Sequence, residues 1–171
     1  IDTQARLANV SATVLERTFL DVTSAFSGLK KERGGGLMAL TAAVMGGAPS
    51  VELGQERMAG IGSFLMGHRR LLERRAHQWG TLKKGEHFYD AQGQSTAAHT
   101  FGMIETLQKE AQHKYMTKDR LELIGRMEES GTMPAQIGAG LMGLDIPEIR
   151  KRAEMSTGKK GAAALDEWSQ S

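Results

Sequence analysis

The sequence predicts an all-α protein: several amphipathic helices in an elongated or bundle-like arrangement, with no β-sheet. Three observations carry this. Apolar residues recur every three or four positions in one segment after another. No segment sustains a period-two alternation rich in β-branched residues. N-cap residues and glycines stand where the periodic stretches begin and end. The expected organisation is an N-terminal helical segment over residues 1–80 (two long helices joined by an apolar, glycine-rich hairpin), a polar connector over 81–94, a C-terminal helical segment over 95–155, and a basic tail with a short terminal helix over 156–171.

A chain of 171 residues is long enough for one ordinary domain. Aromatics make up 5%, against 21 glycines and 10 methionines, so the core is expected from Leu, Ala, Met, Ile and Val. Methionine adapts its shape to its neighbours, and a Met-, Ala- and Gly-rich helical chain packs less uniquely than one rich in Phe and Ile. The net charge of +2 makes the basicity local rather than global. The absence of cysteine excludes a disulfide framework, a thiolate metal site and a thiol nucleophile. With no signal peptide visible, the expected location is the cytoplasm or a virion interior.

Residues 3–32 read as one long helix, with Leu7, Val10, Val14, Val22, Ala25, Phe26 and Leu29 close to a 3.6 period. Lys30, Lys31 and Arg33 favour its C-terminal dipole, and Gly34-Gly35-Gly36 ends it. Residues 34–51 carry no charge until Glu52 follows, and Leu37 to Met45 suit a buried two-turn helix. A membrane span needs about 20 apolar residues. Five glycines and Pro49 dilute this stretch, so a hairpin buried or covered by a partner is expected over membrane contact by 34–51.

The central helix is expected from Ser50, its N-cap, to Gly80. Met58, Ile61, Leu65, Leu72, Ala76 and Trp79 follow one another at spacings of three, four, seven, four and three, which places them on one face. Arg69, Arg70, Arg74 and Arg75 lie across it and along its flank, and Lys83 and Lys84 follow in the connector. A third long helix runs from a cap at Ser95 or Thr96 to about Tyr115, with Ala97, Phe101, Ile104, Leu107 and Ala111 inward. Thr117 restarts the chain, and Leu121, Leu123, Ile124 and Met127 continue a helix as far as Ser130-Gly131. Thr132 caps again, ahead of Pro134. Asp145-Ile146-Pro147-Glu148 has capping-box spacing and opens a helix to about Met155. Ala162 to Trp168 supply the last short one.

Five constellations bear on chemistry. Residues 135–153 have some of the spacing of a helix-turn-helix: Ala139 where two helices cross, Gly143 at the turn, Ile149 inward, and Arg150, Lys151 and Arg152 on the second helix. Gly138 at an apolar position and Glu148 at the groove-facing start argue against DNA, and a helical hairpin with a glycine turn explains the same residues. The arginine cluster, with Lys83 and Lys84, could contact nucleic acid, lipid headgroups or an acidic partner helix, whereas an isolated cluster of this size is ordinarily a solvated face. Glu110 and His113 form one Glu-x-x-His pair, but a four-helix di-iron site needs two such pairs. The glycines form no phosphate loop. His87, His99 and Asp90 sit in or beside the polar connector without a nucleophile elbow.

No catalytic, cofactor-binding or metal-ligating residues are assigned, and the expected protein is not an enzyme. The sequence points to a structural or assembly subunit, a homo-oligomer or part of a larger helical complex. In composition alone, its Gly-, Ala- and Met-rich, cysteine-free chain resembles helical internal or ejected virion proteins of tailed phages. The alternative is a DNA-binding regulator or packaging factor using residues 120–153, with nucleic acid as the partner.

Overall fold

The computed structural model describes residues 14, 36–93, 95–131, 133 and 135–157. The expected helix over 3–32 lies outside these apart from Val14, which is helical and half-buried. Thr132, Pro134 and the tail from 158 onward lie outside them too. The described residues form six helices and no strand. They are α1 (Gly36–Gly47), α2 (Val51–Trp79), α3 (Ala97–Tyr115), α4 (Arg120–Glu129), α5 (Ala135–Met142) and α6 (Ile146–Thr157). Among the described residues no helix is long and apolar enough to cross a membrane.

Local chemistry sets the ends of these helices. Ser50 Oγ accepts from Leu53 N at 3.2 Å and starts α2. The helix closes at Gly80, whose φ of 75° lets Thr81 N and Leu82 N donate to Ala76 O at 2.9 and 3.2 Å. Thr96, rather than Ser95, caps α3, accepting from His99 N at 3.2 Å. Ser95 is buried instead, and its hydroxyl donates to Phe88 O at 2.5 Å. Met116 ends α3 in the left-handed region at φ 54°, a conformation that costs a residue with a Cβ. The cap of α4 is Asp119, two residues after Thr117, where the chain is expected to restart. Thr117 Oγ1 binds both Asp119 N and Glu122 Oε2, so it braces the cap without being it. Asp145 accepts from Glu148 N at 3.2 Å, which is the forward half of the anticipated box.

α1 is charge-free and buried nearly all round, as a helix with no polar face must be. It packs on α2 and α6. A Cβ at Gly54 would stand 2.6 Å from Met45 Sδ, so the bare backbone of α2 is a socket for the end of α1. The inward face of α2 is Met58, Ile61, Leu65, Leu72 and Ala76, all buried as their spacing requires. Trp79 departs from this: it is 38% exposed and turns to α3. α3 touches every other described helix and buries Phe101, Met103, Ile104 and Ala111. Its buried Thr100 and Thr106 satisfy their hydroxyls on Thr96 O and Gly102 O in their own helix. One apolar core runs from Ala39 through Leu82 and Phe88 to Ile149, so the connector is docked into the core shared by both helical segments.

Candidate basic surface on α2 and the α5–α6 hairpin

The arginines of α2 do not act as one cluster. At about 100° per residue, positions 69 and 75 fall on opposite flanks of the helix, with 70 and 74 between them on the side away from the core. Arg69 is half-buried beneath the connector, donating from Nη1 to Gly93 O at 3.1 Å and lying 5.3 Å from the Tyr89 ring centroid. Arg75 faces α3, with Nε 3.7 Å from Glu110 Oε2 and Nη1 donating to Gln78 Oε1 at 2.9 Å. Arg70 and Arg74 are exposed and make no ion pair with another described residue. Lys83 and Lys84 are exposed as well, but they lie off the helix in the turn after Gly80. The Lys83 backbone there donates to Glu86 Oε1 at 3.2 Å. Leu71, on the flank beside Arg70 and Arg74, is 42% exposed, so the basic surface has an apolar edge.

Glu73 is the residue whose role the sequence concealed. It stands eight positions after Leu65, at the edge of the apolar stripe, and the connector buries it. Its Oε1 pairs with His87 Nδ1, and Oε2 has no hydrogen-bond partner among the described residues. His77 meets the His87 ring edge-on at 6.4 Å. The signal available in the sequence was a lone acid at a stripe-edge position, which demands a partner once buried.

Glu110 and His113, the Glu-x-x-His pair, both turn to Trp79. The indole Nε1 donates to Glu110 Oε1 at 2.5 Å, and the His113 ring packs against the indole at 5.1 Å, inclined by 73°. The acid is therefore shared by Trp79 and Arg75, and the pair ties α3 to the end of α2. Among the described residues no group of three His, Asp or Glu side chains is placed to hold a metal ion.

The α5–α6 hairpin has the expected turn at Gly143, with Ile149 buried. A Cβ at Gly143 would stand 2.9 Å from Ala139 O, a contact with its own chain's backbone that favours glycine there. Gln108 of α3 donates from Nε2 to both Leu141 O and Leu144 O at 2.9 Å, satisfying carbonyls on either side of the turn. The three cations of α6 separate. Arg150 pairs with Glu105 of α3 and lies 6.0 Å from the Phe101 ring centroid. Arg152 Nε stands 3.6 Å from Glu148 Oε1 and lines an open hollow of about 280 Å³ between α1 and the start of α6. Lys151 is exposed, between the exposed acids Glu148 and Glu154.

Comparison of the chain with protein-family models, with curated proteins and with solved structures finds no match.

Proposed function

We propose that the protein is a non-enzymatic structural or assembly subunit of a larger helical complex, which meets a protein partner through the outer face of α2. A virion interior is the setting its composition favours. The observation that supports this reading is the separation of the arginines. Arg69 and Arg75 are spent on internal contacts, whereas Arg70 and Arg74 stay outside, one helical turn apart, beside half-exposed Leu71. A mixed charged and apolar face of this kind suits another helix better than a polyphosphate, which gains little from a leucine. The DNA alternative rests on Arg150, Lys151 and Arg152, two of which are ion-paired to Glu105 and Glu148.

One experiment weighs both readings. The double variant Arg70→Gln with Arg74→Gln is compared with the parent chain by light scattering and by duplex-DNA binding across a salt series. The assembly reading expects a loss of oligomer mass with unaltered DNA affinity. A fall of about 0.9 in the log-log salt slope of DNA binding for each lost contact, with the mass unchanged, would overturn it in favour of nucleic acid.

A further inference from the structure

The outer face of α2 is patterned along its length as well as around it. Glu52, Glu56, Ser63, Arg70 and Arg74 are all exposed and fall within about 20° of a single line down the helix, opposite the face that holds Ile61, Leu65 and Leu72. The acids occupy the N-terminal half and the bases the C-terminal half. The spacing is symmetric about Ser63: Glu56 and Arg70 stand seven residues to either side, Glu52 and Arg74 eleven. Small residues lie between, with Ala59 and Gly67 each four residues from Ser63 and both exposed. At Gly67 an added Cβ would meet nothing within 4 Å. None of the four charged side chains has an ion-pair partner among the described residues.

A helix face whose charge inverts about its own midpoint is complementary to itself when turned end for end. From this we infer that α2 is the seat of an antiparallel two-fold dimer, with Ser63 on the axis and a second copy of this chain as the occupant. The inference deepens the assembly reading and rests on it, naming the partner. Two copies laid antiparallel bring Glu52 opposite Arg74 and Glu56 opposite Arg70 twice over, making four charge pairs along about 33 Å of helix. Ala59 and Gly67 face one another near the axis and allow the backbones to approach. A parallel arrangement would set acids on acids and bases on bases. The first-turn position of Glu52 also favours the helix dipole, but that accounts for one of the four charges only. A contact built on one helix per copy lies at the small end of specific interfaces. Its exposed charge pairs are screened over about 8 Å at physiological salt, so the dimer weakens as salt rises.

The test uses two full-length variants. Glu52→Arg with Glu56→Arg makes the ridge wholly basic; Arg70→Glu with Arg74→Glu makes it wholly acidic. Each alone is expected to raise the self-association Kd by about tenfold or more at low salt, because every pair becomes repulsive. Mixed in equal amounts, the two are expected to form a heterodimer at least as tight as the parent dimer, read by analytical ultracentrifugation. Ser63→Cys supplies an independent measurement, since the chain has no other thiol. Mild oxidation at low salt should yield a disulfide dimer readily, and far more slowly with Cys at exposed Lys109 of α3. An oligomer indifferent to both charge reversals, or sensitive to them without pairing on mixing, would overturn the two-fold ridge and leave the assembly reading intact. A parent chain that is monomeric at all concentrations would overturn both.

Discussion

Gly102→Ala is expected to destabilise the fold, although alanine is the better helix former. The helical gain is about 1 kcal/mol in an exposed helix interior. Against it stands the ring of Phe88, since a Cβ at Gly102 would lie 2.8 Å from Cε1, with Cζ at 3.5 Å and Cδ1 at 3.7 Å. Phe88 is buried, and the Ser95 hydroxyl holds its carbonyl, so the ring cannot retreat without dragging the connector. Overpacking of this kind costs about 1 to 3 kcal/mol. The net expectation is a loss of roughly 0 to 2 kcal/mol. Gly125→Ala is the matched control. It lies inside α4, an added Cβ meets nothing within 4 Å, and the expected change is a gain approaching the full 1 kcal/mol or so. Urea unfolding of the two variants and the parent measures the difference. If Gly102→Ala gained as much as Gly125→Ala, Phe88 would not be seated on α3, and the docking of the connector would be wrong.

Three further predictions follow from the core and its polar ties. His87→Ala should cost about 1 to 3 kcal/mol by leaving the buried Glu73 carboxylate unpaired, whereas adding Glu73→Met should recover most of it; additive losses in the urea midpoint would refute the pairing. Gln108→Ala removes two hydrogen bonds at the α5–α6 turn. It should cost roughly 1 to 2 kcal/mol and speed amide exchange selectively near Gly143, and uniform exchange along the chain would count against this bridge. Leu40→Ala, at a fully buried position of α1, should lower stability by about 2 to 5 kcal/mol, while Leu121→Ala should stay within about 0.5 kcal/mol; comparable losses in thermal melts would show that the face of α4 is misassigned.

The helix ends were legible because capping is local chemistry. Ser50, Gly80 and Asp145 need only their own neighbours to act, and each does what its residue type implies. The faces were legible where a single stripe exists, as from Met58 to Ala76. They were not legible where apolar residues crowd. Leu121, Leu123, Ile124 and Met127 cannot share one stripe in seven positions; the core takes Leu123 and Met127 and leaves Leu121 82% exposed. The connector hid its packing for the opposite reason: two apolar anchors, Leu82 and Phe88, are too few to show a period among polar neighbours. The arginines fall between these cases. Their angular separation follows from numbering alone, but the partners that claim Arg69 and Arg75 come from the connector and α3, far along the chain.

A helical chain rich in methionine, alanine and glycine is expected to pack permissively, yet here the glycines make the packing selective. Gly54 receives Met45, Gly60 stands where a Cβ would come within 2.8 Å of Ile137 Cγ1, and Gly102 receives Phe88. Each is a socket for a side chain from another element, and a Cβ at any of the three would force that side chain to shift. Gly54 and Gly60 lie on α2, so α1 and α5 are set in register against the same helix. The third socket, on α3, sets the connector that leads away from α2. A helix held in register by its neighbours presents its outer ridge as a rigid line, with the charges of Glu52, Glu56, Arg70 and Arg74 at fixed intervals. Fixed intervals are what a self-complementary charge pattern requires, because a ridge that flexed or rotated would bring each acid opposite the wrong position on the second copy. The inward sockets and the outward charge pattern are thus two demands on the same helix, and filling a socket on α2 should weaken self-association as well as folding.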